Sequence, residues 1–174
     1  MNRNANRSAN RTKWGVAGAC AAVAAVVLYF TFFRASDEER IREVLTRFAK
    51  AVSVKQGDTV LSRGGRLKSE LGEIVDSDVR VDVAELGIGV TGRPKLVEDA
   101  TKAGLMYAEA SAEMTGVTIQ IDDAKTTAKA DATAVVTATS GGDHKVDKRD
   151  VHFLLRKDGS WRITTIDAMA PRGD

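Results

Sequence analysis

A chain of 174 residues has room for about one ordinary domain, since a single hydrophobic core organises on the order of 100 to 200 residues, so two globular domains are not expected. The formal charge of +2 is unevenly spread: residues 1–35 hold Arg3, Arg7, Arg11, Lys13 and Arg34 and no acid, which leaves 21 bases against 24 acids beyond them. That later part, net −3, gives no electrostatic reason to expect nucleic acid, and the lone Cys20 excludes an intradomain disulfide or a cysteine metal site.

The segment 1–13 is polar, basic and without an apolar face, and reads as a disordered cytoplasmic tail. From Trp14 to Phe33 runs WGVAGACAAVAAVVLYFTFF, twenty residues without a charge. As a helix rising about 1.5 Å per residue it spans the roughly 30 Å hydrocarbon core of a bilayer. Trp14 and Tyr29 suit the two interfaces, and four bases precede the segment while Asp37, Glu38 and Glu39 follow Arg34. The positive-inside rule then predicts one uncleaved signal anchor at 14–33, with the N-terminus cytoplasmic and the rest of the chain periplasmic. Two alternatives are weaker. Cleavage at Ala19-Cys20-Ala21 leaves the apolar stretch Val23–Phe33 attached, and a lipobox at Cys20 lacks the usual leucine and a full apolar run.

Beyond the anchor, residues 36–170 read as one α+β domain, with a short tail at 171–174. Ser36 and Glu39 have capping-box spacing, and Ile41, Val44, Leu45, Phe48 and Val52 recur at helical intervals up to Gln56-Gly57-Asp58. A second helical stretch follows from about Asp58, interrupted by Gly64-Gly65 and resuming through Leu67, Leu71 and Ile74. Alternation at Val79, Val81 and Val83 predicts a half-buried strand. Gly87, Gly89 and Gly92 loosen the next stretch, and Pro94 opens a helix whose stripe runs through Leu96, Val97, Ala100, Gly104, Tyr107 and Ala108. From Met114 the pattern is a run of antiparallel strands. It has a tight turn at Asp122-Asp123, a long Ala/Thr/Val strand at 126–139, a turn at 140–143, an inward face of Val151, Phe153 and Leu155, and a type I′ hairpin at Asp158-Gly159. Arg156 and Arg162 are expected to face solvent.

The opening helix, the helix GRPKLVEDATKAG at 92–104 and the closing strand pair VHFLLRKDGSWRITTIDA at 151–168 carry a resemblance. The domain resembles the nuclear transport factor 2-like superfamily, the α+β cone that includes SnoaL-like, cystatin-like and ketosteroid isomerase-like proteins. The resemblance implies helices packed on a curved, mainly antiparallel sheet. In enzymes of that superfamily, Asp, Tyr and His line a pocket between sheet and helices and move protons.

The residues available for such chemistry are few. His152 alternates with Val151 and Phe153 and so lies on the other sheet face, near Asp150; a carboxylate-steered histidine there can act as a general base, but a polar outer face accounts for it more simply. Tyr107 falls on the apolar stripe of its helix, where core packing is the default. Asp82, Asp131 and Asp167 are further strand carboxylates, and His144 sits in a solvated turn. No nucleotide loop, nucleophile elbow or metal motif is present, so no cofactor or metal is implied. The preferred expectation is a non-catalytic domain tethered to the lipid bilayer through residues 14–33, binding a membrane-complex partner or forming a homodimer. The arrangement resembles inner-membrane assembly subunits of type IV secretion and membrane proteins associated with lipid import. The alternative is an isomerase- or dehydratase-type enzyme, or a ligand-binding domain, using the cone pocket.

Overall fold

The structure, a computed structural model, describes residues 36–140 and 143–171. The expected tail at 1–13, the expected anchor at 14–33 and the last three residues lie outside them. Among the described residues no helix is long and apolar enough to cross a membrane.

Helix α1 (Asp37–Val52) carries three acids in its first turn and Lys50 in its last, complementing the helix dipole, and buries Ile41, Val44, Leu45 and Phe48. It stops at Val52, the last residue of its stripe and short of Gln56-Gly57-Asp58, as Val54 forms a β-bridge to Ala110, with N···O distances of 2.7 and 3.0 Å. The chain after α1 thereby covers part of a sheet edge. Helix α2 (Val60–Ile74) begins at a Thr59–Ser62 capping box. The expected break at Gly64-Gly65 does not occur: two glycines cost about 1 kcal/mol each, and burial of Leu67, Leu71 and Ile74 outweighs that.

Strand β1 (Val75–Val83) leads through a 3-10 turn at Ala84–Leu86 to β2 (Ile88–Thr91), so the glycine-rich stretch expected to be loose contains an edge strand. Helix α3 (Arg93–Ala103) has Pro94 in its first turn. The last four elements are β3 (Glu109–Ile121), β4 (Thr127–Ser140), β5 (Asp143–Asp158) and β6 (Ser160–Met169), β3 starting well before Met114. They form a single mixed sheet ordered β2-β1-β6-β5-β4-β3. Every pairing is antiparallel except β1 with β6. Register shifts between Thr115 and Thr118, where Gly116 has φ 63°, and between Leu154 and Leu155 bend the long strands. At the β5–β6 hairpin Gly159 has φ 68° while Asp158 is not left-handed, which excludes the expected type I′ turn, since that needs two positive φ values.

The three helices pack on one face of this sheet. Ala128, Ala130, Ala132 and Ala134 of β4 form a row of small side chains that lets the helices approach, and Val151, Phe153 and Leu155 continue the same face. Phe48 of α1 meets Phe153 edge-on with ring centroids 6.1 Å apart.

Candidate functional site

Three arrangements bear on function, and the first is the place where a cone pocket would lie. Beneath α1 and α2 the concave sheet face is occupied by core side chains: Phe153, Leu155, Ile163 and the alanine row are all buried. Further along β5, Arg149 alternates with Val151 and so shares this face. Its Nε lies 2.9 Å from Asp147 Oδ2, and its Nη1 meets Glu85, whose other oxygen accepts the Ala170 N–H. Glu85 thus ties the 3-10 turn to the middle of β5 and the end of β6.

The second arrangement holds the histidine. His152 does meet a carboxylate, but that carboxylate is Asp131 of β4, directly opposite in the register, and not Asp150. Across the other ladder His152 faces Asp167, and Asp167 in turn faces Asp82 of β1. The row Asp131, His152, Asp167, Asp82 therefore runs across four strands. It lies on the face away from the helices, with 40% of the His152 side chain and 52% of Asp131 exposed. Asp150 on the same face accepts a 3.3 Å hydrogen bond from Thr133 Oγ1.

Tyr107 is elsewhere. Its helix ends at Ala103, and the next residue, Gly104, lies against Arg63: a Cβ on Gly104 would fall 2.3 Å from Arg63 Nε. The last turn closes with Leu105 N–H on Lys102 O and Met106 N–H on Ala103 O. Tyr107 consequently sits in the connection to β3, 40% exposed beside exposed Leu105 and Met106, and not on a helical core stripe. Tyr107, Asp150 and His152 are not brought into one cavity.

The third arrangement was not foreseen. A cavity of about 500 Å³ opens between α1, the end of α2 and the β5–β6 hairpin, lined by Arg40, Arg47, Lys157 and Arg162 together with Glu43 and Glu73. Arg47 is paired with Glu70 and Glu73, which raise its guanidinium further above its ordinary range. Lys157 and the Trp161 indole both donate to Asp37, at 2.7 and 3.0 Å, and these bonds hold the Asp37 carboxyl below its usual range. Arg162, expected in solvent, is half-buried, and its Nε is fully buried with no acceptor among the described residues. Past Arg47 a second cavity of about 330 Å³ continues along the helices, lined by Lys50, Lys55 and Arg66. Helical spacing of Arg40, Glu43, Arg47 and Lys50 was visible in sequence, whereas the hairpin's contribution depended on tertiary pairing. Among the described residues no group of three or more His, Cys, Asp or Glu is placed to hold a metal ion.

A mixed six-stranded sheet curved around three helices is the nuclear transport factor 2-like, or cystatin-like, fold. Solved structures agree. The chain is similar to an NTF2-like protein with a cystatin-like fold from Novosphingobium aromaticivorans (TM-score 0.61, 17% identity, covering 87% of this chain and 90% of that one). It is similar also to an NTF2-like superfamily protein from Salmonella enterica serovar Typhimurium (0.63, 13%, 79% and 92%). A third is a candidate scytalone dehydratase from N. aromaticivorans (0.60, 14%, 75% and 81%). At these identities the likeness is one of fold. No family model matches the chain, and no curated protein matches it.

Proposed function

We propose that this protein is a membrane-tethered, non-catalytic NTF2-like domain that binds a partner or assembles on the extracytoplasmic side. The observation that supports the reading is that the sheet face beneath α1 and α2 is taken up by buried core side chains, Phe153, Leu155 and the alanine row among them. The carboxylate-steered histidine supports the same view. His152 and Asp131 lie on the outer face in solvent, where neither desolvation nor a pocket wall would hold a substrate against them. The tether is the uncharged segment 14–33, supported by its length and by the bases that precede it.

The test is in-cell crosslinking and copurification of the full-length chain. Recovery of a defined complex, homomeric or with a membrane partner, is the expected result. Recovery of monomer alone overturns the assembly reading. The dehydratase-type alternative, which draws on one fold neighbour, predicts turnover of a small apolar substrate that is lost in His152→Asn or Tyr107→Phe. Such a loss with the fold intact would replace the present proposal.

A further inference from the structure

Along α1 the two basic cavities form one groove that shares Arg47. Its walls present seven bases and three acids, although the chain beyond residue 35 carries 21 bases against 24 acids overall. The pairing within the groove sharpens that imbalance. Arg47 is satisfied by Glu70 and Glu73, Lys157 by Asp37, and Arg66 by Asp58. Among the described residues the side chains of Arg40, Lys50, Lys55 and Arg162 enter no ion pair, although Arg40 acts on Asp37 at longer range, and the groove sets against them the single carboxylate of Glu43. Arg162 reaches the groove half-buried, with its fully buried Nε left without an acceptor among the described residues. The acids nearest the groove's entrance are already engaged: Asp37 by Lys157 and Trp161, Glu38 by Arg42.

We propose that this groove docks on the phosphates of anionic phospholipid headgroups, so that the domain lies α1-side down on the membrane that anchors it. The proposal rests on the tether proposed above, because the covalent reach selects the occupant. Phe33, the last anchor residue, is four residues from Asp37, at most about 14 Å of extended chain, and Arg40 begins the groove one helical turn later. Guanidinium groups at that height meet diester phosphates, to which they can donate two parallel hydrogen bonds each. The attraction acts within a Debye length of the surface and weakens with salt.

The full chain is placed in nanodiscs of phosphatidylcholine alone or of phosphatidylcholine with phosphatidylglycerol, and arginine reactivity toward phenylglyoxal is read residue by residue. Phosphatidylglycerol is expected to protect Arg40 and Arg162 while leaving the exposed Arg80, on the far sheet face, unchanged, and added salt is expected to reverse the protection. In the double variant Arg40→Gln/Arg162→Gln, amide exchange of α1 and the β5–β6 hairpin is expected to lose its dependence on phosphatidylglycerol. The docked-to-free ratio falls by on the order of 30-fold, the effect of two bases near a charged surface. An unchanged thermal midpoint in that variant separates docking from misfolding. Equal reactivity in the two lipids, protection of Arg80 to the same extent, or lipid dependence that survives the double substitution overturns the proposal. Equal protection by millimolar inorganic phosphate in neutral nanodiscs overturns it too, in favour of a soluble phosphate ligand. Carbonate extraction from neutral membranes reads the anchor separately. If the chain is released, the tether fails, and the same arginine footprint on phosphatidylglycerol vesicles mixed with the chain still decides the groove.

Discussion

Arg63 is 4% exposed, yet every nitrogen of its guanidinium donates a hydrogen bond. Nη1 donates to Ser53 O at 2.8 Å, Nη2 to Val52 O at 2.9 Å, and Nε and Nη2 both to Ala100 O, so one side chain gathers the carboxyl ends of α1 and α3 onto the first turn of α2. Burial lowers its pKa from the ordinary guanidinium range, and Asp58, 3.8 Å away, offsets part of that. Gly104→Ala drives a methyl into this guanidinium and is expected to destabilise the domain by about 1–3 kcal/mol in urea unfolding, the usual cost of overpacking. Conversely, His152→Asn is expected to change stability by less than about 0.5 kcal/mol, because the His152–Asp131 pair is half in water. The carboxylates give a pH dependence. Asp37 is held low by Lys157 and Trp161, and Asp58 by the Lys55 N–H and then Arg66, against the opposing effect of burial. A carboxyl whose folded pKa is depressed lends its stabilisation fully above the unfolded value, about 3.9, and loses it as pH falls through the folded value. The urea midpoint is therefore expected to drop below about pH 4, and Asp58→Asn is expected to flatten that acid limb. None of this was legible in the sequence, because the acceptors of Arg63 are carbonyls, which no side-chain pattern marks. Gly104 simply looked like one more position on a stripe.

Elements whose pattern reflects burial were legible. The stripe of α1, the inward set Val151, Phe153 and Leu155, and Pro94 at the head of α3 all stand where periodicity put them. Boundaries were less legible: α1 yields Val54 to a bridge with Ala110, and α3 stops at Ala103, which leaves Tyr107 outside it. Parallel pairing of β1 with β6 joins segments about eighty residues apart, a non-local contact that local alternation cannot encode. The same limit hid the basic groove, part of which comes from a hairpin. The continuity of α2 has a direct test at Gly65, which is exposed, sits mid-helix and has nothing within 4 Å of an added Cβ. Gly65→Ala is expected to stabilise the domain by about 0.5–1 kcal/mol, through lower unfolded-state entropy and better helix propensity. A loss of stability there would mean that the glycine pair serves a bend that a straight α2 does not need.

For the whole molecule, the tether and the groove put opposite demands on charge. In the arrangement proposed, the bases ahead of residue 14 would hold the tail on the cytoplasmic side, while those of the groove would act across the membrane on the outer leaflet. Orientation is counted within about 15–20 residues of the segment's ends, so Arg3, Arg7, Arg11 and Lys13 weigh in full. On the far side Arg34, Arg40, Arg42 and Arg47 fall within about 15 residues and Lys50 within about 20. A segment as long as the one that follows translocates largely regardless of its charge, however, and the three acids of the first turn contribute little. Replacing the four tail bases by glutamine therefore removes the charge that sets the bias and leaves only the bases of the far side. In spheroplasts, protease is expected to digest the domain of the parent chain while sparing the tail. In the four-base variant a substantial fraction of the domain is expected to become protected, with the complementary fraction cleaved only in inverted vesicles. Full cleavage in both would show that folding of the exported domain, and not tail charge, fixes the orientation. Full protection in both would mean that segment 14–33 does not deliver the domain across the bilayer at all.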